Sequence, residues 1–307
     1  MKSLIGLIIL FYSVSGAGAT ETEAEAVGGR GPSPVADLVA AEERLQELTT
    51  ARRHLDALSA AFPDRVEEVA FRRNDWAIRI DGVWFAWSEG RLLPEAEGGR
   101  WAEYSPVRFY SYYPGPARLR QLPPDREEAL RGGLSSIDAQ RAPRSPAFSD
   151  ALYEIRSREE AELRMREVSF FGRSTRIHYV AYDALKRVEA RIADLAETDS
   201  EVREFIDNLS TVHGYNWRNI AGSGSRSYHS YGLAVDLVPR SFSGLPVYWR
   251  WASEAGWTDW WTIPIARRWS PPQPVVDAFE GEGFYWGGKW LFFDNMHFEY
   301  RPELFEF

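Results

Sequence analysis

The chain has 307 residues, of which 44% are hydrophobic and 14% aromatic, including 13 Trp, so it can bury a sizeable core and is not an intrinsically disordered polymer. Its formal net charge of −9 argues against nucleic acid as a partner, because a phosphate-binding surface would be basic. It contains no cysteine, which excludes disulfides, a lipid-modified N-terminal cysteine and thiolate metal ligands, so any metal site must use His, Asp and Glu.

Residues 1–19 (MKSLIGLIILFYSVSGAGA) place one lysine before an apolar run from Leu4 to Val14, followed by small residues ending in Ala17-Gly18-Ala19. This is the layout of a secretory signal peptide. The run is shorter than the about 20 apolar residues of a transmembrane helix, and no later segment is long and apolar enough to span a bilayer. The expectation is an exported protein of the periplasm or cell envelope, starting near Thr20 and without a stable membrane span after cleavage. Residues 20–34, acidic and then Gly/Pro-rich, read as a linker.

Residues 35–116 read as an accessory unit of one helix plus a β-hairpin. Leu38, Leu45, Leu48, Leu55 and Leu58 recur near a seven-residue spacing, too briefly for a coiled coil. Trp76, Ile78 and Ile80 alternate with more polar neighbours up to Asp81-Gly82, and a second strand-like run follows from Val83 to Trp87. Asp-Gly between two such runs is a strong hairpin signal. Residues 117–164 read as a connector with Pro-Pro and Gly-Gly pairs, leading into a long charged helix that continues to about Glu167.

Residues 165–307 read as the second domain. Leu185, Val188, Ile192 and Leu195 share one helical face, Asp199-Ser200 breaks the pattern, and Val202, Phe205, Ile206 and Leu209 mark a further helix. The runs LAVDLV, VYWRWA and MHFEY then read as strands between Gly, Pro and Ser clusters. Helices followed by a small antiparallel sheet make an α+β class.

Of the five histidines, His54 (in a charged helix), His178 (in a strand) and His213 (in a loop) read as ordinary structural residues. His229 and His297 differ in their company. A catalytic zinc takes three protein ligands and leaves a position open. Without Cys, two His and one carboxylate are the natural set. His229 and Asp236 can supply two ligands from one segment if Gly232 kinks the chain between them. His297, in MHFEY, is the candidate third. Asp294, three residues earlier, is placed to act as a general base, and Glu299 shares the strand face of His297 and can orient its imidazole. Spacing alone also fits a core histidine surrounded by surface acids.

The residues themselves carry a resemblance. Ser227-Tyr-His229-Ser-Tyr-Gly232-Leu-Ala234-Val-Asp236 is similar to the S-x-H-x-x-G-x-A-x-D signature of the zinc peptidases that cut peptidoglycan stem peptides. Those include D-Ala-D-Ala carboxypeptidases and dipeptidases, and L-alanyl-D-glutamate endopeptidases of bacteria and phages. The later stretch GFYWGGKWLFFDNMHFEY resembles the closing motif of that family, in which a Trp-Gly-Gly-x-Trp element leads to an acid and then His-Phe-Glu. The resemblance covers about residues 165–305. It implies zinc (Zn2+) held by His229, Asp236 and His297, Asp294 as the general base, and stem peptides of peptidoglycan as the substrate. An Asp in the place of the base, together with the Trp-Gly-Gly-x-Trp element, is more similar to the L-alanyl-D-glutamate endopeptidases. A D-Ala-D-Ala carboxypeptidase is the alternative, and a non-catalytic cell-wall-binding protein on the same fold a further one. The family also has a substrate-binding arginine well upstream of the first zinc histidine. Arg218 and Arg226 are the candidates here, with Ser227 beside them, although Arg218 lies closer to His229 than the family pattern implies.

Overall fold

The structure is a computed structural model, and it describes residues 34–306 apart from 108, 110–111, 114 and 133–141. The segment read as a signal peptide lies outside the described residues, as does nearly all of the segment read as a linker.

Pro34 opens helix α1 (Pro34–Ala61), since the fixed φ of proline suits a first helical position. Ala51, Leu55 and Leu58 are buried, whereas Leu45 is exposed. A four-stranded antiparallel sheet follows in the order β1-β2-β3-β4, formed by β1 (Val66–Arg72), β2 (Asp75–Ile80), β3 (Val83–Ala86) and β4 (Leu93–Pro94). Asp81 and Gly82 both take positive φ, 51° and 73°, as a two-residue hairpin turn requires. Arg73 and Asn74 do the same at 48° and 66°, so the hairpin expected from Asp-Gly is preceded by a second one.

The connector holds α2 (Pro124–Arg131), α3 (Ala147–Leu152) and α4 (Arg158–Arg164). The long charged helix expected to reach Glu167 is not formed. Ser157 caps the short α4 by accepting from the Glu160 amide, and the chain then turns into strand β5 (Met165–Phe170). Val168 and Phe170 are buried on one side of β5, and its pairing with β6 (Arg173–His178) overrides the helical preference of the Glu/Arg-rich run.

Helix α5 (Tyr179–Thr198) buries Leu185, Val188 and Ile192. It stops at Asp199, whose carboxylate accepts from the Glu201 and Val202 amides and caps α6 (Ser200–Asn208). Strands β7 (Leu209–His213) and β8 (Ala234–Pro239) come next, so His213 closes a strand and does not sit in a loop. The run VYWRWA, expected as a strand, instead forms α7 (Trp249–Glu254), with only Tyr248 making a β-bridge. Trp249 and Ala252, three residues apart, are the buried face of that helix, and the aromatic content that suggested a strand reflects packing. After α8 (Gln273–Glu280), β9 (Phe284–Trp286) and β10 (His297–Tyr300) complete a second antiparallel sheet in the order β7-β8-β10-β9.

The architecture is α+β. Residues 44–307 cluster as one compact unit, and a single continuous core runs from Leu55 and Phe85 of the accessory sheet through Phe148 and Tyr153 to Leu237 and Phe298. A smaller aromatic cluster gathers Trp249, Trp260, Trp261 and Phe293. No described helix is long and apolar enough to cross a membrane.

Candidate active site

The site begins at a single tight helical turn, Tyr228–Tyr231, which presents His229. The Ser227 hydroxyl accepts from the His229 amide and starts the turn. Gly232 ends it at φ 64°, a left-handed conformation, and a Cβ there would lie 2.4 Å from Met165 Sδ and 2.7 Å from the His178 amide nitrogen. Only glycine fits this kink. The chain then enters β8, which carries Asp236.

Sheet register brings the remaining ligand candidate into place. His297 on β10 is the cross-strand partner of Asp236 on β8, so their side chains share a face. His297 Nδ1 lies 2.8 Å from Asp236 Oδ1, and His229 Nε2 lies 3.2 Å from Asp236 Oδ2. One ligand atom from each of His229, Asp236 and His297 falls within 4.8 Å of the other two. His213 is the opposite cross-strand neighbour of Asp236, with its side chain exposed.

Partners on the far side of each ring fix its orientation. His229 Nδ1 donates to the Gly214 carbonyl at 2.6 Å, leaving Nε2 buried and without a hydrogen-bond partner. His297 Nε2 meets Glu299 Oε1 at 3.1 Å, leaving Nδ1 turned to Asp236. A buried orphan nitrogen, an imidazole nitrogen and a carboxylate that converge while their outer atoms are tethered fit a divalent metal ion with nitrogen and oxygen ligands. Electrostatics agree. Burial works to raise Asp236, yet the charge of His229, with the hydrogen bond and charge of His297, holds it well below the usual carboxylate range. Burial works to lower His297, yet Asp236 and Glu299 lift it well above the usual imidazole value. Protons here fill a place that a cation can take over.

Asp294 has the opposite environment. Burial, aided by the nearby Asp236 charge, pushes its carboxyl up to about 7, and its Oδ1 has no hydrogen-bond partner. The Trp-Gly-Gly-Lys-Trp turn holds it in place. The Asp294 amide donates to the Gly287 carbonyl at 3.1 Å, and a Cβ on Gly287 would sit 2.6 Å from the Asp294 carbonyl oxygen.

These groups open onto a cleft of about 680 Å3 whose walls include Arg218, Tyr248, Trp290, Asp294, Glu299 and Arg301. Of the two arginines expected to bind substrate, Arg218 lines it, its backbone held by the Ser230 hydroxyl at 2.8 Å and 2.6 Å. Arg226 is a correction. Its guanidinium is bound to Asp150, to the Ile155 carbonyl and to the Tyr231 hydroxyl, and it lies 4.6 Å from the Trp217 ring centre, so it is spent on holding α3 to the motif. Ser227 lines the cleft, with its hydroxyl engaged in capping.

Two contributors escaped the sequence reading. Gly214 orients His229, and a Cβ there would lie 2.3 Å from the Arg176 carbonyl oxygen; its only trace is a glycine between a strand and the motif. Tyr248, bridged to Asp294, was hidden in a run misread as a strand.

Residues 221–300 match the family model described as D-alanyl-D-alanine carboxypeptidase, which supports the resemblance of this part of the chain to the peptidases of peptidoglycan. Residues 54–109 match a model described as a domain of unknown function. No solved structure matches the chain.

Proposed function

We propose that the chain is a zinc-dependent peptidase that cleaves peptide bonds in peptidoglycan stem peptides, of the L-alanyl-D-glutamate endopeptidase type. The observation that carries this reading is the buried carboxylate of Asp294, its Oδ1 without a hydrogen-bond partner, beside the convergent donors of His229, Asp236 and His297. Zinc bound by those three residues would supply a Lewis acid that polarises the scissile carbonyl and acidifies a water molecule. Asp294, with a carboxyl poised near neutrality, takes the proton of the attacking water and delivers it to the leaving amine. Glu299 and the Gly214 carbonyl keep the two imidazoles turned inward throughout. Trp290, whose ring centre lies 5.3 Å from that of His297, shields the reacting atoms from bulk water.

An aspartate as the base and the Trp-Gly-Gly-Lys-Trp turn favour the endopeptidase over the carboxypeptidase, and an exported location matches a substrate outside the cytoplasmic membrane. Mass spectrometry of stem peptides after incubation, with and without a chelator, tests the reading. Chelator-sensitive cleavage between L-Ala and D-Glu is expected. Release of terminal D-Ala alone would identify a carboxypeptidase, and no cleavage by zinc-loaded protein would favour a cell-wall-binding role.

A further inference from the structure

Three arginines, Arg144, Arg218 and Arg250, line the cleft and form no ion pair with a carboxylate among the described residues. Arg218 and Arg250 belong to the catalytic half and act on Tyr248, the residue bridged to Asp294. Arg144 has another origin. It lies on the strap that leads from the accessory sheet to the catalytic half, ahead of β5.

That strap is clamped from both sides. The Ser105 amide donates to the Pro143 carbonyl at 3.0 Å, the Ser105 hydroxyl donates to the Ala142 carbonyl at 2.5 Å, and Ser105 forms a β-bridge with Arg144. On the other side the Arg144 amide donates to the Ser225 hydroxyl at 3.0 Å, two residues before the capping Ser227. The Arg144 backbone is thus fixed while its half-buried side chain enters the cleft. Its charge acts on Tyr228 and Glu299, whereas those of Arg218 and Arg250 act on Tyr248. Beside it, Pro106, Val107 and Phe109 of the accessory unit form part of the same wall.

The floor of the cleft carries Asp236, Asp294 and Glu299, so a substrate carboxylate is better met at the rim than there. An anionic substrate needs a cation at the rim, and a guanidinium fork matches a carboxylate in two hydrogen bonds. We propose that Arg144 binds the carboxylate of the D-glutamate next to the scissile bond, so that the accessory unit completes the substrate site. This rests on the peptidase reading above, which supplies the substrate.

The test is calorimetric titration of the full-length, zinc-loaded Asp294→Asn protein, which holds peptide without turning it over. The ligands are two synthetic stem tetrapeptides that differ only in a free carboxylate or a primary amide on D-glutamate. The carboxylate peptide should bind roughly ten- to a hundredfold more tightly, the range for a hydrogen bond to a charged group. Arg144→Ala should abolish that preference and leave the amide peptide bound as before, and Arg144→Lys should restore part of it. A preference that survives Arg144→Ala, or an equal loss for both peptides, overturns the proposal. If Arg144→Ala does not fold, Arg144→Lys decides: an undiminished preference overturns the proposal, and a reduced one supports it. Hydrolysis by protein with Asp294 intact reports separately on the underlying reading. Cleavage without a preference set by Arg144 overturns this inference alone, whereas selective binding without cleavage overturns only the peptidase reading.

Discussion

Burial acts in opposite directions on the two aspartates of the cleft. Asp236 lies between two imidazoles whose charges, with the hydrogen bond from His297, outweigh its desolvation, so it stays ionised and able to ligate. Asp294 has no such partner on Oδ1, and desolvation brings its carboxyl to about 7, where a group can both take and release a proton. Two chemically identical side chains thus acquire two protonation behaviours from their surroundings. Replacing Asp294 by Asn keeps its size and removes its basicity. Asp294→Asn should lower hydrolysis by about 10²–10⁴-fold, the usual contribution of general acid–base catalysis. Its zinc content, measured by elemental analysis, should match the parent. Hydrolysis at the parental rate would remove Asp294 from the mechanism.

At the scale of elements, the junction between β6 and α5 depends on His178. Its Nε2 donates to the Tyr153 carbonyl at 3.0 Å, and its Nδ1 accepts from the Val180 amide at 3.2 Å, capping α5. Burial holds its pKa down to about 4, because a protonated ring would be desolvated and would point a second donor at the Val180 amide. The unfolded chain takes up a proton near the ordinary imidazole pKa of about 6.5, so between these values it binds more protons than the folded chain. Stability is therefore full above about pH 6.5 and falls as the pH drops towards 4, by on the order of 3 kcal/mol from this group. Burial moves His54 in the same direction. Thermal melts between pH 7.5 and 4.5 should show the decline, and His178→Asn, which keeps a capping side chain, should flatten it. A melting temperature independent of pH over this range would contradict the assignment.

The elements also show what a sequence reveals. The runs LAVDLV and MHFEY are short and bounded by Gly, Pro and Ser clusters, enough to be read as strands, and Gly232 stands where a left-handed residue is needed. Asp81-Gly82 announced its hairpin, whereas Arg73-Asn74 turns as tightly with no such signal. The run from Arg158 to Glu167 was read as helix because its composition favours helix, and a pairing with residues 173–178 decided otherwise. The register that sets His297 opposite Asp236, and the strap that brings Arg144 to the cleft, arise from contacts between segments far apart in the chain. Local pattern cannot carry such information.

At the scale of the whole molecule, the accessory sheet and the catalytic half share one core. Tyr153 links them directly, with its ring centre 5.8 Å from Phe62 of the segment after α1 and 5.7 Å from Tyr231 of the histidine turn. Lys289, buried in the Trp-Gly-Gly-Lys-Trp turn, donates to the Tyr112 hydroxyl and the Tyr113 carbonyl at 2.9 Å each and pairs with Glu280 at 2.8 Å. A fragment of residues 165–307 loses Phe62, Phe85, Phe148 and Tyr153 from that core and leaves Lys289 without its tyrosine partners. It should show no cooperative thermal unfolding by circular dichroism, and a sharp transition near that of the full chain would show the catalytic half to be autonomous.

The central claim is that His229, Asp236 and His297 together hold a metal on which hydrolysis depends. Zinc titration of chelator-stripped protein, followed by calorimetry and by peptide hydrolysis on the same sample, tests it most directly. One zinc per chain should bind and restore activity in parallel, and His229→Ala should lose both. Full hydrolysis by the stripped protein, or stoichiometric zinc retained by His229→Ala, would contradict the account.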